Sequence, residues 1–297
     1  MMFKALAEFV MRGRLQAIAV ALVTSWFPIL PQASFGLVAL RKGWQEGLIV
    51  AAVATLPAGL GLLLGKTAAA LVYASIAVHV VNYVVCLVLR STISWPQTLL
   101  VCVCFSALSS WLVVAMSGDI VTDFRAFMTD LLTGPNANTA LSDENTQKLV
   151  DIWVGSRAKC SALIAYWICA ASILGLVMAR WWQAMLYNPG GFREEFHQVR
   201  LPVAMAGGCI TAVLFALIKT EYWLWAGLLG LPLVTAGFGF MHWLIARFRL
   251  GTPAVILLYL LVPLLKIGAL LLMLLAVVDS ALNLRKIIGS NQGTKAD

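Results

Sequence analysis

The chain has 297 residues, of which 61% are hydrophobic and only 11% are charged, and its formal net charge is +8. About eight apolar stretches, most of them roughly 20 residues long, fill the sequence between Leu15 and Leu284. A helix needs roughly 20 apolar residues to cross a hydrocarbon layer of about 30 Å, so the pattern predicts an all-α, polytopic transmembrane helix bundle in a lipid bilayer. Little sequence remains for a separate soluble catalytic domain, and a nucleic-acid partner is not expected.

The positive charge is concentrated in short segments beside the apolar stretches. These segments are together more positive than the whole chain, so the remaining sequence is slightly negative. They are 4–14, 41–46, 90, 180–200, 247–249 and 285–297. Short basic loops of membrane proteins face the cytoplasm, which predicts a cytoplasmic N-terminus and places these segments on one side of the membrane.

Hydropathy and charge divide the chain into seven segments. They are a cytoplasmic amphipathic helix (1–14), N-terminal transmembrane helices (15–116), an external helical loop (117–156), a transmembrane helix (157–180), a cytoplasmic interfacial segment (181–200), C-terminal transmembrane helices (201–284) and a polar tail (285–297). The last apolar run, 253–282, fits either one strongly tilted helix or a helix kinked at Pro263. A cytoplasmic C-terminus requires an even number of crossings.

The first apolar stretch allows two interpretations. Residues 35–40 are apolar but too short to cross alone, and Arg41 and Lys42 follow directly. If these two cations are cytoplasmic, residues 28–40 turn back within the membrane as a short or broken helix. Irregular backbone at that depth is tolerated only when protein buries it or when it lines a wet cavity. The alternative is one long tilted helix over 15–40 with Arg41 outside; the broken form is favoured.

The loop over 118–156 contains six acidic and two basic residues, so it is expected outside. Apolar residues recur at helical spacing on both sides of a Gly–Pro–Asn break at 134–136, and Ser142 is a suitable cap for the second helix. The segment therefore predicts a helical hairpin lying on the outer surface.

A candidate docking surface for a protein partner or a second copy lies on the cytoplasmic side. Phe192 and Phe196 share one face of a short predicted helix, and Arg193 points elsewhere. Asp279 and Arg285 lie at the end of the last apolar run. Asp279 either binds a partner or satisfies backbone groups at the membrane interface, and the sequence leaves both open.

Lys266 is a cation near the middle of the last apolar run, where insertion costs roughly 2.5–3.5 kcal/mol. Pro263, three residues earlier, removes the helical donor for the carbonyl of Tyr259. Together they predict an anion site inside the bundle for a carboxylate, a phosphate or a lipid headgroup. The alternative is a lysine that snorkels to the interface or pairs with an acid on another helix.

His79 and Asn82 are three residues apart in one apolar run, so they share a helix face and are expected to face an interior groove. They are candidate ligand-binding residues together with Lys266 and Tyr259. A lone histidine within a membrane more often makes an interhelical hydrogen bond.

The sequence gives little support for an enzyme. It contains no HExxH, GxSxG or Walker motif, and no GxGxxG followed by an acid. Its six cysteines lie in or beside apolar stretches without CxxC spacing, so neither a metal site nor a cofactor is predicted.

The pattern resembles the YybS-like bacterial membrane proteins, a family of unknown function. The resemblance rests on the prolines at 28 and 31, on Leu-Arg-Lys-Gly at 40–43 followed by Gly47, on Trp-Trp at 181–182, and on Asp-x-x-x-Asn-Leu-Arg-Lys at 279–286. It implies a multi-pass protein of a bacterial inner membrane. It also implies a remote similarity of fold to the substrate-binding membrane subunits of energy-coupling-factor transporters.

Two functions from different classes follow from these observations. The favoured one is binding, or help in transporting, a small anionic or amphiphilic molecule inside the bundle. The alternative is a structural or assembly scaffold that docks other membrane or cytoplasmic proteins.

Overall fold

The computed structural model describes residues 2–27, 29–65, 68–133, 143–265 and 267–290. Within these ranges the chain forms sixteen α-helices and no strand, which confirms the all-α prediction. Predictions made for Pro28, for the break at 134–136, for Ser142 and for Lys266 lie outside the described residues.

The helices have the following bounds in chain order. They are α1 (Met2–Arg12), α2 (Arg14–Val23), α3 (Leu30–Lys42), α4 (Trp44–Ala54), α5 (Leu56–Leu63), α6 (Ala69–Thr92), α7 (Trp95–Met116), α8 (Ile120–Thr133), α9 (Asp143–Val154), α10 (Arg157–Tyr187), α11 (Gly191–His197), α12 (Val203–Ile218), α13 (Trp225–Arg247), α14 (Gly251–Leu264), α15 (Gly268–Leu282) and α16 (Leu284–Ser290).

Five helical stretches are long and apolar enough to cross a membrane: α4 with α5, α6, α7, α10 and α13. A sixth candidate is the pair α14 and α15, whose axes differ by 115° across a short break. Helices α2 and α12 are apolar but shorter, at 10 and 16 residues. The described residues therefore fit a polytopic membrane protein with five or six candidate spans, and the predicted number of eight is not confirmed.

The first apolar stretch forms a hairpin of two short helices, α2 and α3. At 1.5 Å per residue they are about 15 and 20 Å long, too short to cross a layer of about 30 Å. A guanidinium nitrogen of Arg14, at the start of α2, lies 2.5 Å from a carboxylate oxygen of Glu46, in the first turn of α4. Since α3 ends next to the start of α4, the hairpin enters and leaves from the same side. The alternative of one long helix over 15–40 is wrong.

Helix α3 lies at the centre of the bundle. Residues 31–40 are all buried, and the helix packs against α10, α4, α6 and α2. Its contact with α4 depends on Gly47, because a Cβ atom there would lie 2.6 Å from Cβ of Ala39. Protein therefore surrounds this short helix. Backbone polar groups at the ends of such a helix are tolerated at membrane depth only where protein or a wet cavity covers them.

The two ends of the bundle differ in charge. We call one end the basic face, because it contains Arg14, Arg41, Arg90, Arg180 and Arg285. Here the Arg41 guanidinium lies 4.2 Å from the ring centroid of Tyr187, at the end of α10. Here also Arg90 donates a hydrogen bond of 2.9 Å to the carbonyl of Ala39. The segments with excess positive charge thus meet at one end of the bundle.

The opposite end, which we call the acidic face, contains α8 and α9. These helices pack against each other and against α10, and Arg125 of α8 pairs with Asp151 of α9 at 2.5 Å. Trp153 lies against Trp223, with ring centroids 5.3 Å apart. The acidic segment is therefore helical in its described parts and packs on the end of the bundle.

The last apolar run forms a second hairpin. The chain bends by 115° between α14 and α15, just after Pro263, so the kinked form describes it and a single tilted helix does not. Helix α14 begins directly after α13 ends, and the guanidinium of Arg285 donates to the carbonyl of Val199 at 2.8 Å. Both ends of this hairpin therefore lie on the basic face.

Candidate functional site

A cavity of about 630 Å³ lies where the tip of the α2–α3 hairpin meets α4, α5, α6 and α10. Aromatic side chains form part of its wall, namely Trp26, Phe27 and Trp167. Its polar wall is formed by Ser25, Gln32, Ser75 and His79. We call it the tip cavity. Its size falls within the range of small-molecule sites, which combine apolar walls with a few polar groups.

The polar groups at the hairpin tip follow from the way α3 begins. Pro31 lies in the first turn of α3, where a helix tolerates proline because the missing N–H has no helical acceptor. The connection between α2 and α3 supplies Ser25, Trp26 and Phe27 to the cavity wall, and Gln32 follows on the first turn of α3. The irregular backbone at the tip thus lines a cavity, one of the settings in which a membrane tolerates it.

Gln32 and His79 are the buried polar side chains of the tip cavity, with 4% and 7% of their surface exposed. The His79 ring packs edge-on against Phe35, with ring centroids 5.5 Å apart, which fixes its orientation. Gln32 Oε1 and His79 Nδ1 have no hydrogen-bond partner among the described residues. An unpaired buried polar atom costs about 1–3 kcal/mol, so the chain keeps these two polar side chains at an otherwise largely apolar wall at a cost in stability.

Asn82 lies one turn from His79 on α6 and is fully buried. Its side-chain nitrogen donates a hydrogen bond of 2.8 Å to the carbonyl of Ser172 on α10. Gly175 allows this approach, because a Cβ atom at 175 would lie 2.6 Å from both the Asn82 nitrogen and Cβ of Gln32. The predicted pair is therefore split: His79 lines the cavity, and Asn82 joins the helices behind it.

A smaller, apolar cavity of about 270 Å³ adjoins the tip cavity. The two cavities share Leu71 and Trp167 as a common wall. Phe124 and Phe127 of α8 cover the apolar cavity, and Asp123 is the one charged lining residue among those the structure describes. A polar compartment and an apolar compartment therefore lie side by side in the half of the bundle nearer the acidic face.

No protein-family model, curated protein or solved structure matches the chain. The resemblance to YybS-like proteins therefore stays a prediction, and the functional argument rests on the geometry of this chain alone.

The other predicted ligand-binding residues lie elsewhere. Tyr259 is on α14, where its hydroxyl lies 3.0 Å from Nε2 of His242 and its ring stacks on Phe238. It does not line the tip cavity. Lys266 lies outside the described residues. Of the predicted ligand-binding residues that the structure describes, His79 alone lines the tip cavity, and Tyr259 lies in a separate part of the bundle.

The predicted docking residues make contacts within the chain. Phe192 stacks on Phe196, whose ring packs edge-on against His242 of α13. The Asp279 carboxylate is 2% exposed and lies 3.2 Å from Nε of Arg285. Arg193, in contrast, is exposed and lines a cavity on the basic face. Docking of a partner at this surface stays a prediction.

Sequence reasoning missed Gln32, Ser75, Trp26 and Trp167 as cavity residues. Gln32 was detectable in principle as a lone polar residue beside Pro31, within a segment expected to be covered by protein. The aromatic residues gave no such signal, because tryptophans near span ends are common in membrane proteins. Among the described residues, no group of three or more His, Cys, Asp or Glu side chains is placed to hold a metal ion.

Proposed function

We propose that this chain is a membrane-embedded binding or transport subunit for a small amphiphilic molecule. The observation that supports this most is the pairing of the tip cavity with the apolar cavity across Leu71 and Trp167. A polar headgroup would bind Gln32, Ser75 and His79, and the apolar part of the same molecule would lie under α8. Gln32 and His79 would supply orientation through hydrogen bonds, and the apolar walls would supply most of the affinity.

The charges favour an amphiphile over a small anion. Among the residues that the structure describes, no cation lines the tip cavity, and the apolar cavity carries the carboxylate of Asp123. The prediction of an anionic ligand rested on Lys266, which lies outside the described residues. A ligand with an uncharged or cationic polar group is therefore the better match to the described walls.

The proposed setting is a bacterial inner membrane, with the basic face in the cytoplasm and the acidic face outside. The charge difference between the two ends of the bundle supports this orientation. The tip cavity would then open in the outer half of the membrane. The sequence contains no Walker motif, so active transport would require partner proteins that hydrolyse a nucleotide.

The alternative, a scaffold without a ligand, has less support. Phe196, Asp279 and Arg285 already make their contacts inside the chain. Exposed apolar side chains do lie on α8 and α9, among them Phe127 and Leu131 at 59% and 61% exposure. Crosslinking in membranes that returns one stoichiometric partner, together with no ligand in the tip cavity, would favour the scaffold.

Photocrosslinking in lipid nanodiscs tests the proposed site. The probe is a twelve-carbon alcohol that carries a diazirine, because it joins a polar hydroxyl to an apolar chain as the two adjoining cavities require. We expect crosslinked peptides from α8 and α10, and a loss of most crosslinking in the double variant Gln32→Leu/His79→Leu. The matched control is Gln16→Leu, which lies on the same hairpin but outside the cavity. Equal crosslinking in the double variant and in the wild-type protein would overturn the proposal.

A further inference from the structure

A separate cavity of about 500 Å³ lies on the basic face. It forms where the short helix α11 meets the end of α13 and the start of α14. Its polar wall consists of Arg193, His197, His242, Arg249 and Thr252. We call it the basic cavity. It shares no lining residue with the tip cavity or the apolar cavity.

The arginines of the basic cavity lack the carboxylate partners that three other arginines of the same face have. Arg14 pairs with Glu46, Arg180 pairs with Glu195, and Arg285 pairs with Asp279. Among the described residues, neither Arg193 nor Arg249 forms an ion pair, and no acidic side chain lines the basic cavity. Two guanidinium groups and two imidazoles thus share one concave surface without a carboxylate.

The backbone at Arg249 gives a second, independent indication. Helix α13 ends in a Schellman motif, in which Arg249 N–H bonds to the carbonyl of Ala246 and Leu250 N–H bonds to that of Ile245. Arg249 occupies the left-handed position of this motif, with φ of +54°. Glycine is the usual residue there, since a side chain strains the left-handed conformation. The chain therefore places a cation at the wall of the basic cavity in a conformation that disfavours it.

The histidines are held by their neighbours. Nε2 of His242 lies 3.0 Å from the Tyr259 hydroxyl, and its ring packs against Phe196. The carbonyl of His197 accepts a hydrogen bond from Arg285, which anchors the end of α11. These contacts hold in place the two histidines that line the basic cavity together with Arg193 and Arg249.

We propose that the basic cavity binds a phosphate-class oxyanion through Arg193 and Arg249, with His197 and His242 beside it. The planar guanidinium group can donate two parallel hydrogen bonds to adjacent phosphate oxygens, which makes arginine well suited to this chemistry. The oxyanion is either the headgroup of an anionic lipid or a free phosphate compound. The site lies on the other face from the tip cavity, and the proposal does not depend on the ligand proposed there.

Two binding arms distinguish the sources of the oxyanion. In the first, native mass spectrometry measures retention of phosphatidylglycerol, against phosphatidylcholine, by the purified full chain. In the second, a thermal-shift titration with inorganic phosphate is compared with one in chloride at equal ionic strength. Selective phosphatidylglycerol retention assigns a lipid headgroup, and a phosphate-dependent shift assigns a free oxyanion. Either result supports the site, and the absence of both overturns it.

The variants are chosen so that misfolding does not explain the result. Arg249→Gly relieves the left-handed strain, so this variant should be at least as stable as the wild-type protein while binding weakens about tenfold or more. Arg193→Gln should weaken binding to a similar degree, and Arg193→Lys less, because it keeps the charge. The control Lys286→Gln removes an exposed cation of the same face and should leave binding unchanged. Equal losses in Lys286→Gln and Arg249→Gly, or no loss in Arg249→Gly, would overturn the proposal.

Discussion

The side-chain amide of Asn82 donates a hydrogen bond of 2.8 Å to the main-chain carbonyl of Ser172. This bond joins α6 to α10, the two helices that pack beside the buried helix α3. Asn82 lies one turn along α6 from His79, which lines the tip cavity. The position of this part of the cavity wall therefore depends on the hydrogen bond.

Replacing Asn82 by alanine should lower the free energy of unfolding by roughly 0.6 kcal/mol and by no more than about 1.7 kcal/mol, the average and the maximum measured for interhelical hydrogen bonds in a membrane protein. The measurement is unfolding of the purified protein by a denaturing detergent titrated into mild detergent. Val80→Ala, at a half-exposed position of the same helix, is the control and should cost less. A variant at Asn82 that is as stable as the wild-type protein would show that the bond has no net effect.

The ion pair between Asp279 and Arg285 should matter far more than the pair between Arg14 and Glu46. The Asp279 side chain is 2% exposed, and Arg200 also approaches its carboxylate, at 4.0 Å. Asp279→Asn therefore leaves two guanidinium groups without a counter-charge and should destabilise the fold by roughly 3 kcal/mol. The exposed pair is its control: Glu46→Gln should have little measurable effect in the same detergent titration, because solvent screens such a pair. Equal effects of the two substitutions would contradict this assignment.

His197 should make the fold less stable in mild acid. Burial, followed by the nearby positive charges of Arg193, His242 and Arg285, lowers the pKa of His197. The folded chain therefore binds a proton at His197 less readily than the unfolded chain, whose histidine pKa is about 6.5. The resulting stability is complete above that pH and is lost as the pH falls toward the lower folded value. His197→Gln should flatten this part of the pH dependence of unfolding.

Phosphate supplies the control for the His197 prediction. An oxyanion bound in the basic cavity would favour the protonated imidazole, so it should raise the pKa of His197 and oppose the loss of stability in acid. A titration of unfolding with and without phosphate, on the wild-type protein and on His197→Gln, separates the two effects. An unchanged pH dependence in His197→Gln would show that another group causes it.

Periodicity and charge were sufficient to predict much of the bundle from the sequence. The apolar runs that became α6, α7 and α13 begin and end within a few residues of the predicted spans, because length and hydropathy alone define such helices. The position of Arg41 and Lys42 favoured the broken first hairpin, because charge placement constrains which side a segment returns to. These features depend on local sequence.

Features that depend on packing between distant segments could not be predicted as well from the sequence. The eight predicted spans counted every long apolar run as a crossing, but hydropathy does not distinguish a helix that crosses from two that turn back, as α14 and α15 do. The tip cavity combines Gln32 with His79, which are far apart in sequence and meet only because α3 packs on α6. Among the ligand-site candidates, His79 was recognised because a buried histidine is conspicuous in an apolar run, whereas Gln32 was not.

The two faces of the bundle should be accessible from opposite sides of the membrane. Lys148 lies exposed on α9 at the acidic face, and Arg193 lies exposed on α11 at the basic face. We expect Lys148→Cys to react with an impermeant maleimide added outside intact cells, and Arg193→Cys to react only after permeabilisation. The wild-type protein, with its six native cysteines, supplies the background. Labelling of Arg193→Cys from outside, with Lys148→Cys protected, would invert the proposed orientation.

Gly175 provides the sharpest test of how the candidate site is built. A Cβ atom at this position would lie 2.6 Å from Cβ of Gln32 and 2.6 Å from the side-chain nitrogen of Asn82. The first of these contacts is with an atom fixed to the α3 backbone, so Gly175→Ala should push α3 away from α10. Overpacking of this kind costs about 1–3 kcal/mol, and the displacement of Gln32 should also reduce crosslinking of the diazirine alcohol in the tip cavity.

The control for Gly175→Ala is Gly207→Ala in α12, where a Cβ atom would meet no atom within 4 Å. Alanine favours a helix over glycine by up to about 1 kcal/mol, so this variant should be neutral or more stable, with crosslinking unchanged. The two glycines differ in what surrounds them and share the same helical context. If Gly175→Ala behaves like Gly207→Ala in both measurements, then α3 does not pack on α10 as closely as the tip cavity requires.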